Sequence, residues 1–229
     1  MLPSHLITQE HEHERKFDLL NNTLFSRVRD ILVSPGEARH ILDFYDIPHL
    51  VFGTPHHKDR QYRYFDTAES SLRKNNVTCS LRDRGSDYVL TVKLPLGLDN
   101  VKQREEHSFS FPAYGNFHTL DITIQKELSS LLEKFTQGSS LVDSLTLFVH
   151  TDGFNVFQGK NRIALLSLDQ IFATIQDYTR IFYELEIERK DQGTATTLDT
   201  LANALQRTFE LQEVTHSKYE RALILLGKT

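Results

Sequence analysis

One cysteine, Cys79, stands in the 229 residues, so no internal disulfide is available. A reducing compartment suits such a chain, and a cytoplasmic protein is the expectation. No apolar run approaches the length of a membrane span, so no membrane partner is expected. The first residues carry acids and histidines where a secretory signal needs an apolar stretch. Positive charge is not in excess: the net charge of −5 offers nucleic acid no overall attraction. The eleven histidines are scattered, and none pairs at a zinc-ligand spacing; His56-His57 lies in a loop-like Gly/Pro/His stretch. No repeat, low-complexity segment or Pro/Ser/Gly-rich linker divides the chain. With 39% hydrophobic and 25% charged residues, a single domain over residues 1–229 with a real core is expected.

What is present is mostly strand signal. Residues 11–20, 60–67, 77–84, 88–95, 101–111, 144–151, 161–169 and 178–189 show alternation or are rich in β-branched and aromatic side chains. Arg84-Gly85-Ser86-Asp87 reads as a hairpin turn, and Pro95 to Asn100 as another. Helices are expected over 34–45, with Ser34 as N-cap and Pro35 first inside, and over 117–135, 196–211 and 217–226. The class is α+β, and sequential strands joined by short turns suggest an antiparallel sheet closing on itself.

The informative residues are those that alternate with the apolar ones. A strand points every second side chain to one face. Arg82 and Arg84 share a face, as do Thr91 and Lys93, Arg104 and Glu106, and Lys160 and Arg162. Glu184, Glu186 and Glu188 lie opposite Tyr183, Leu185 and Ile187. One such face is simply a solvated one. Repeated over several strands, with helices needing an apolar surface to cover, it suggests charged faces turned inward. Buried charge persists only if it is wet and opposed by other charges or a ligand. A row of cations suits a polyanion, and a patch of carboxylates suits a hard divalent cation.

Glu12-His13-Glu14-Arg15-Lys16 fits that pattern. If it lies in a strand, Glu12, Glu14 and Lys16 share a face, where two anions repel unless a cation bridges them. Alone, the pentapeptide reads more readily as a solvated strand face than as a metal site. His11, His13 and Arg15 fall on the other face. Cys79 has no histidine placed near it and reads as packed rather than nucleophilic.

These segments together resemble the CYTH, or triphosphate tunnel metalloenzyme, superfamily. The likeness runs in order through Glu12-x-Glu14-x-Lys16, Tyr64-Phe65-Asp66-Thr67, Leu81-Arg82-Asp83-Arg84, Thr91-Val92-Lys93-Leu94-Pro95, Arg104-Glu105-Glu106, Lys160-Asn161-Arg162, Ser167-Leu168-Asp169, Tyr183-Glu184-Leu185-Glu186 and Ser217-Lys218-Tyr219. It covers essentially the whole chain. Two places depart from it: Phe172 to Arg180 is long and lacks glycine, and Leu50 to Asp59 matches no family segment.

The resemblance implies an eight-stranded antiparallel barrel, a triphosphate tunnel with helices packed outside. It implies Glu12, Glu14, Glu106, Asp169, Glu184 and Glu186 as ligands of Mg²⁺ or Mn²⁺. It implies Lys16, Arg82, Arg84, Lys93, Arg104, Lys160, Arg162 and Lys218 as phosphate contacts. Glu12, Glu14, Lys16, Glu186 and Glu188 would be catalytic, with Glu188 able to replace a neighbour in a shifted register. The implied activity is hydrolysis of a small-molecule triphosphate, inorganic triphosphate first, nucleoside or thiamine triphosphate besides, by a monomer or homodimer. The alternatives are a cyclase making cyclic AMP from ATP and a non-enzymatic polyphosphate or nucleotide binder.

Overall fold

The computed structural model describes residues 8–11, 13–84, 86–95, 104–112, 122–190 and 192–228. The chain begins with β1 (Thr8–His11), β2 (Glu14–Asp18), α1 (Asn22–Val33), α2 (Pro35–Phe44), β3 (Leu50–Phe52), β4 (His56–Asp66) and α3 (Ser71–Lys74). It continues with β5 (Thr78–Asp83), β6 (Asp87–Pro95), β7 (Arg104–Pro112), α4 (Ile122–Thr136), β8 (Val142–Gln158), β9 (Asn161–Ile175) and β10 (Tyr178–Arg189). It ends with α5 (Ala195–Phe209), β11 (Gln212–Glu213) and α6 (Lys218–Leu225). No helix among the described residues is long and apolar enough to cross a membrane.

All described strand pairs are antiparallel. The order is β1-β7-β6-β5-β4-β8-β9-β10-β2-β11, with β3 on β8. Among the described residues this 11-stranded sheet does not close, so the expected eight-stranded barrel gives way to an open antiparallel sheet. The cause lies near the N-terminus. The single strand expected over 11–20 is two strands, β1 on β7 at one margin and β2 on β10 near the other. The outer edge of β2 is taken by β11, not by β1.

Local chemistry explains most boundaries. The Arg84 N–H donates to the Asp87 carbonyl at 2.9 Å, making the expected hairpin turn. The turn expected after Pro95 falls on residues 96–100, outside the described residues. Ser34 is the N-cap position of α2 with Pro35 first inside, though the serine side chain makes no cap bond. Ser217 caps α6 with a full capping box to Glu220. The segment from Leu50 to Asp59 becomes β3 and the start of β4. β9 and β10 meet at Gln176-Asp177, where Gln176 takes φ 52° in place of a glycine.

The apolar side chains divide between the two faces. On the outer face, Phe154, Leu166, Leu168, Leu185 and Ile187 pack with Val28 and Leu32 of α1, Leu42 of α2 and Leu205 of α5. Cys79, Leu81, Leu90, Val92 and Phe109 pack with Leu128 and Leu132 of α4. Each fully buried side chain of this size contributes about 1.5–3 kcal/mol. One helix departs from the helices-outside expectation. Tyr219, Ala222 and Leu223 of α6 pack on Leu145, Leu147, Val149, Ile171 and Ala173, together with Tyr62 and Tyr64. These strand residues are on the inner face, so α6 lies against the face that carries the charges.

Candidate active site

The inner face encloses a cavity of about 340 Å³. Period-two alternation delivers its lining: Arg60, Tyr62 and Tyr64 from β4, Ser80 and Arg82 from β5, Thr91 and Lys93 from β6, Glu106 and Ser108 from β7. Ser167 and Asp169 come from β9, Glu186 and Glu188 from β10, Glu14 and Lys16 from β2, and Ser217, Lys218 and Tyr219 from α6. The apolar residues between them face the outer helices, so the same alternation builds both core and cavity.

The acidic side is set by register. Glu184 pairs with Asp169 across β10 and β9, and Glu186 follows two residues on. Asp169, Glu184 and Glu186 each bring a carboxylate oxygen within 4.8 Å of the others. Lys218 Nζ lies 3.1 Å from Asp169 Oδ2, 2.9 Å from Glu184 Oε1 and 2.5 Å from Glu186 Oε2. Arg221 spans Glu184 (2.8 Å) and Asp18 (2.7 Å), and its guanidinium stands over the Phe182 ring. Thr151 Oγ1 donates to Asp169 Oδ1 at 2.6 Å. Glu184 has no exposed surface.

Burial raises the Asp169 carboxyl above the ordinary range, with Lys218 only partly offsetting it. Burial alone would raise Glu186 too, but the Lys218 and Lys16 ammoniums hold it well below that range. Burial works to lower Lys218; Glu184, Glu186 and Asp169 overcome it and hold the ammonium well above its usual value.

The cationic side is partly paired. Lys16 pairs with Glu14 at 2.5 Å and Lys93 with Glu106 at 3.1 Å. Arg60 reaches Thr151 Oγ1 at 3.2 Å. Among the described residues, the buried Nε of Arg82 has no hydrogen-bond partner. Burial lowers Lys58, and Arg60, Arg82, Arg162 and Arg84 lower it further, so these five cations stand within electrostatic reach of one another.

Of the residues singled out in the sequence, Glu14, Lys16, Arg82, Lys93, Glu106, Asp169, Glu186, Glu188 and Lys218 line this one cavity. Glu184 is sealed immediately behind it. Arg84 is half exposed and lies 3.6 Å from Asp87. Lys160, in the turn before β9, and Arg162, early in β9, are exposed and outside the lining. The Arg104 backbone pairs with Pro95; its side chain and Glu12 lie outside the described residues. Sequence reasoning passed over Arg60, Tyr62 and Arg221. Arg60 and Tyr62 alternate with Tyr64 in an expected strand, and Arg221 is three residues from Lys218 on an expected helix, so the signal was there. Asp66 of the Tyr-Phe-Asp-Thr motif is spoken for. Its carboxylate accepts from the backbone N–H of Thr67, Leu72 and Arg73, tying β4 to α3.

The oxygen donors Asp169, Glu184 and Glu186 are the type that hard divalent cations take, so the acidic group fits a divalent cation of that class.

No protein-family model matches the chain, and no curated protein matches it in sequence. Solved structures do match in fold. A candidate adenylate cyclase of Bacillus halodurans is 18% identical, with 93% of this chain and 97% of that chain covered and a TM-score of 0.58. PH1819 of Pyrococcus horikoshii OT3 is 16% identical, with 95% and 99% covered and a TM-score of 0.52. HpAC1 of Hippeastrum, a candidate adenylyl cyclase with a dominant triphosphatase activity, is 16% identical, with 95% and 97% covered and a TM-score of 0.51.

Proposed function

We propose that this chain, whose fold is that of the CYTH or triphosphate tunnel superfamily, hydrolyses a short triphosphate with the help of a divalent cation. Inorganic triphosphate, split to pyrophosphate and phosphate, is the first candidate substrate, with nucleoside or thiamine triphosphate besides. The observation that carries this reading is a single cavity in which Arg60, Arg82, Lys93 and Lys16 face a buried carboxylate group, with a buried Arg82 donor left without a partner among the described residues. A buried donor left unmade is costly, and a phosphate oxygen would satisfy it.

Phosphoryl transfer asks mainly for positioning and charge stabilisation. Arg60, Arg82, Lys93 and Lys16 sit on different strands and would hold successive phosphoryl groups in line. Arg84, Lys160 and Arg162 would add cationic surface outside the lining, and Arg104 would be a further phosphate contact. Asp169, Glu184 and Glu186, with Glu14, Glu12 and Glu106, would hold Mg²⁺ or Mn²⁺, which supplies neutralisation of phosphoryl charge. Glu186, ionised far below neutral pH, is a weak proton acceptor and suits a charge-bearing role. Glu188, on the same face and at the cavity wall, is the better residue to orient the attacking water.

Phosphate release from inorganic triphosphate, ATP and thiamine triphosphate, each with Mg²⁺ and Mn²⁺, tests the reading. Hydrolysis of at least one is expected. Glu186→Gln should lose about 10²-fold in kcat or more, the scale of removing one group that stabilises transition-state charge. Arg82→Gln should raise KM about tenfold to a hundredfold, since a charge-assisted hydrogen bond is worth about 1.5–3 kcal/mol. No turnover with any substrate, or cyclic AMP as the product from ATP, would overturn it.

A further inference from the structure

Lys218 is the first residue of α6. The positive end of the helix dipole disfavours a cation there. Its ammonium nevertheless lies within 3.1 Å of all three carboxylates whose oxygens converge as a metal-ligand group. An ammonium has three donors, so one lysine could in principle serve three acceptors. The fit is incomplete. Glu184 Oε1 is buried and accepts no hydrogen bond, although Lys218 Nζ stands 2.9 Å away. Among the described residues, Asp18, Asp169, Glu184 and Glu186 are directly paired with two cations, Lys218 and Arg221. The nearby Lys16 and Lys93 each have a carboxylate of their own, Glu14 and Glu106. The group therefore holds a monovalent cation with one buried carboxylate oxygen, Glu184 Oε1, left unsatisfied.

We infer that Lys218 is a resident counter-cation that occupies the place of the divalent metal, so that ammonium and metal exclude each other from Asp169, Glu184 and Glu186. This rests on the metal-bearing reading above. Two cations do not share three carboxylate oxygens that lie within 4.8 Å of one another, because their mutual repulsion is least screened in a buried site. Lys218 already lines the cavity, and its alternative partner there is the anion. Metal binding thus frees a cation for the phosphate chain, and an anion in the cavity draws the lysine off the metal's ligands. By linkage each ligand then tightens the other.

The test is a calorimetric Mn²⁺ titration of the full chain without substrate, for wild type, Lys218→Met and Glu186→Gln. Lys218→Met should bind Mn²⁺ at least tenfold more tightly than wild type, and Glu186→Gln should bind it more weakly. Added tripolyphosphate should tighten Mn²⁺ binding to wild type, beyond the metal that free tripolyphosphate chelates, by a larger factor than for Lys218→Met. Equal Mn²⁺ affinity in wild type and Lys218→Met overturns the inference and leaves the metal reading standing. No Mn²⁺ binding by any of the three overturns both. If Lys218→Met, with its buried carboxylates uncompensated, does not fold without metal, folding on addition of Mn²⁺ but not of K⁺ at equal ionic strength is the expected result. Failure to fold with Mn²⁺ overturns the inference.

Discussion

Cys79 is fully buried on β5 among Leu81, Val92 and Phe109, and burial pushes its thiol up to about 12 from its ordinary 9.0. The thiolate is the reactive form, so this cysteine is chemically quiet in the native protein. Ellman's reagent at pH 8 should leave it unmodified until urea unfolds the chain; rapid native labelling would contradict its placement. The pH effect on stability has a definite sign. The folded thiol keeps its proton where the unfolded one begins to lose it, so its contribution is complete below about 9 and is lost as pH rises through about 12. Urea midpoints at pH 8 and pH 10.5 should differ less in Cys79→Ala than in wild type. The bland sequence reading of this residue agrees with the core it occupies. Glu184 differs. In the sequence it is one of three alternating glutamates, and nothing local separates it from Glu188. Only the approach of Lys218 and Arg221 seals it away.

At the scale of elements, legibility followed local chemistry. Ser34-Pro35 and Ser217-x-x-Glu220 marked helix starts because capping is a short-range interaction. The helix α1 went unexpected, although Asn21 Oδ1 accepts from the Leu24 N–H and Val28 and Leu32 fall at helical spacing. Its Thr, Phe, Val and Ile content weakens the helix signal, and packing on the outer face decides the matter. The strand β8 runs well past Thr151 because Gly153 lies opposite His56; a Cβ there would stand 2.4 Å from the His56 ring. A glycine that reads as a strand end marks instead a close approach. The β9–β10 connection was hard to read because Gln176 holds a left-handed conformation that favours glycine. Gln176→Gly should raise stability by about 1 kcal/mol, seen as a higher urea midpoint with unchanged slope. A lower midpoint would mean that the glutamine side chain supplies more than the strain costs.

At the scale of the molecule, charge is segregated. The chain is net negative, yet Lys58, Arg60, Arg82, Arg84 and Arg162 stand within electrostatic reach of one another, and Arg60 and Arg82 line a cavity whose other wall is acidic. A small anion is drawn to that local field rather than to the protein's overall charge. Screening over about 10 Å at 0.1 M salt should weaken it. The KM for inorganic triphosphate should therefore rise several-fold between 50 and 300 mM KCl, with kcat changing less. A salt-independent KM would argue against attraction by these cations.

The alternation of the strands was determined by the sequence itself, because side-chain direction in a strand is a property of the backbone. So Arg82, Lys93, Asp169, Glu186 and Glu188 could be assigned a common kind of face before any fold was known. The tertiary structure alone decided which strands are neighbours, that the N-terminal segment splits between two margins, and that α6 lies against the charged face. Those choices depend on pairings between residues far apart in the chain, of which Lys218 with Glu186 and Arg221 with Asp18 are the plainest. No local pattern encodes such a pairing, because its energy exists only once the two partners meet.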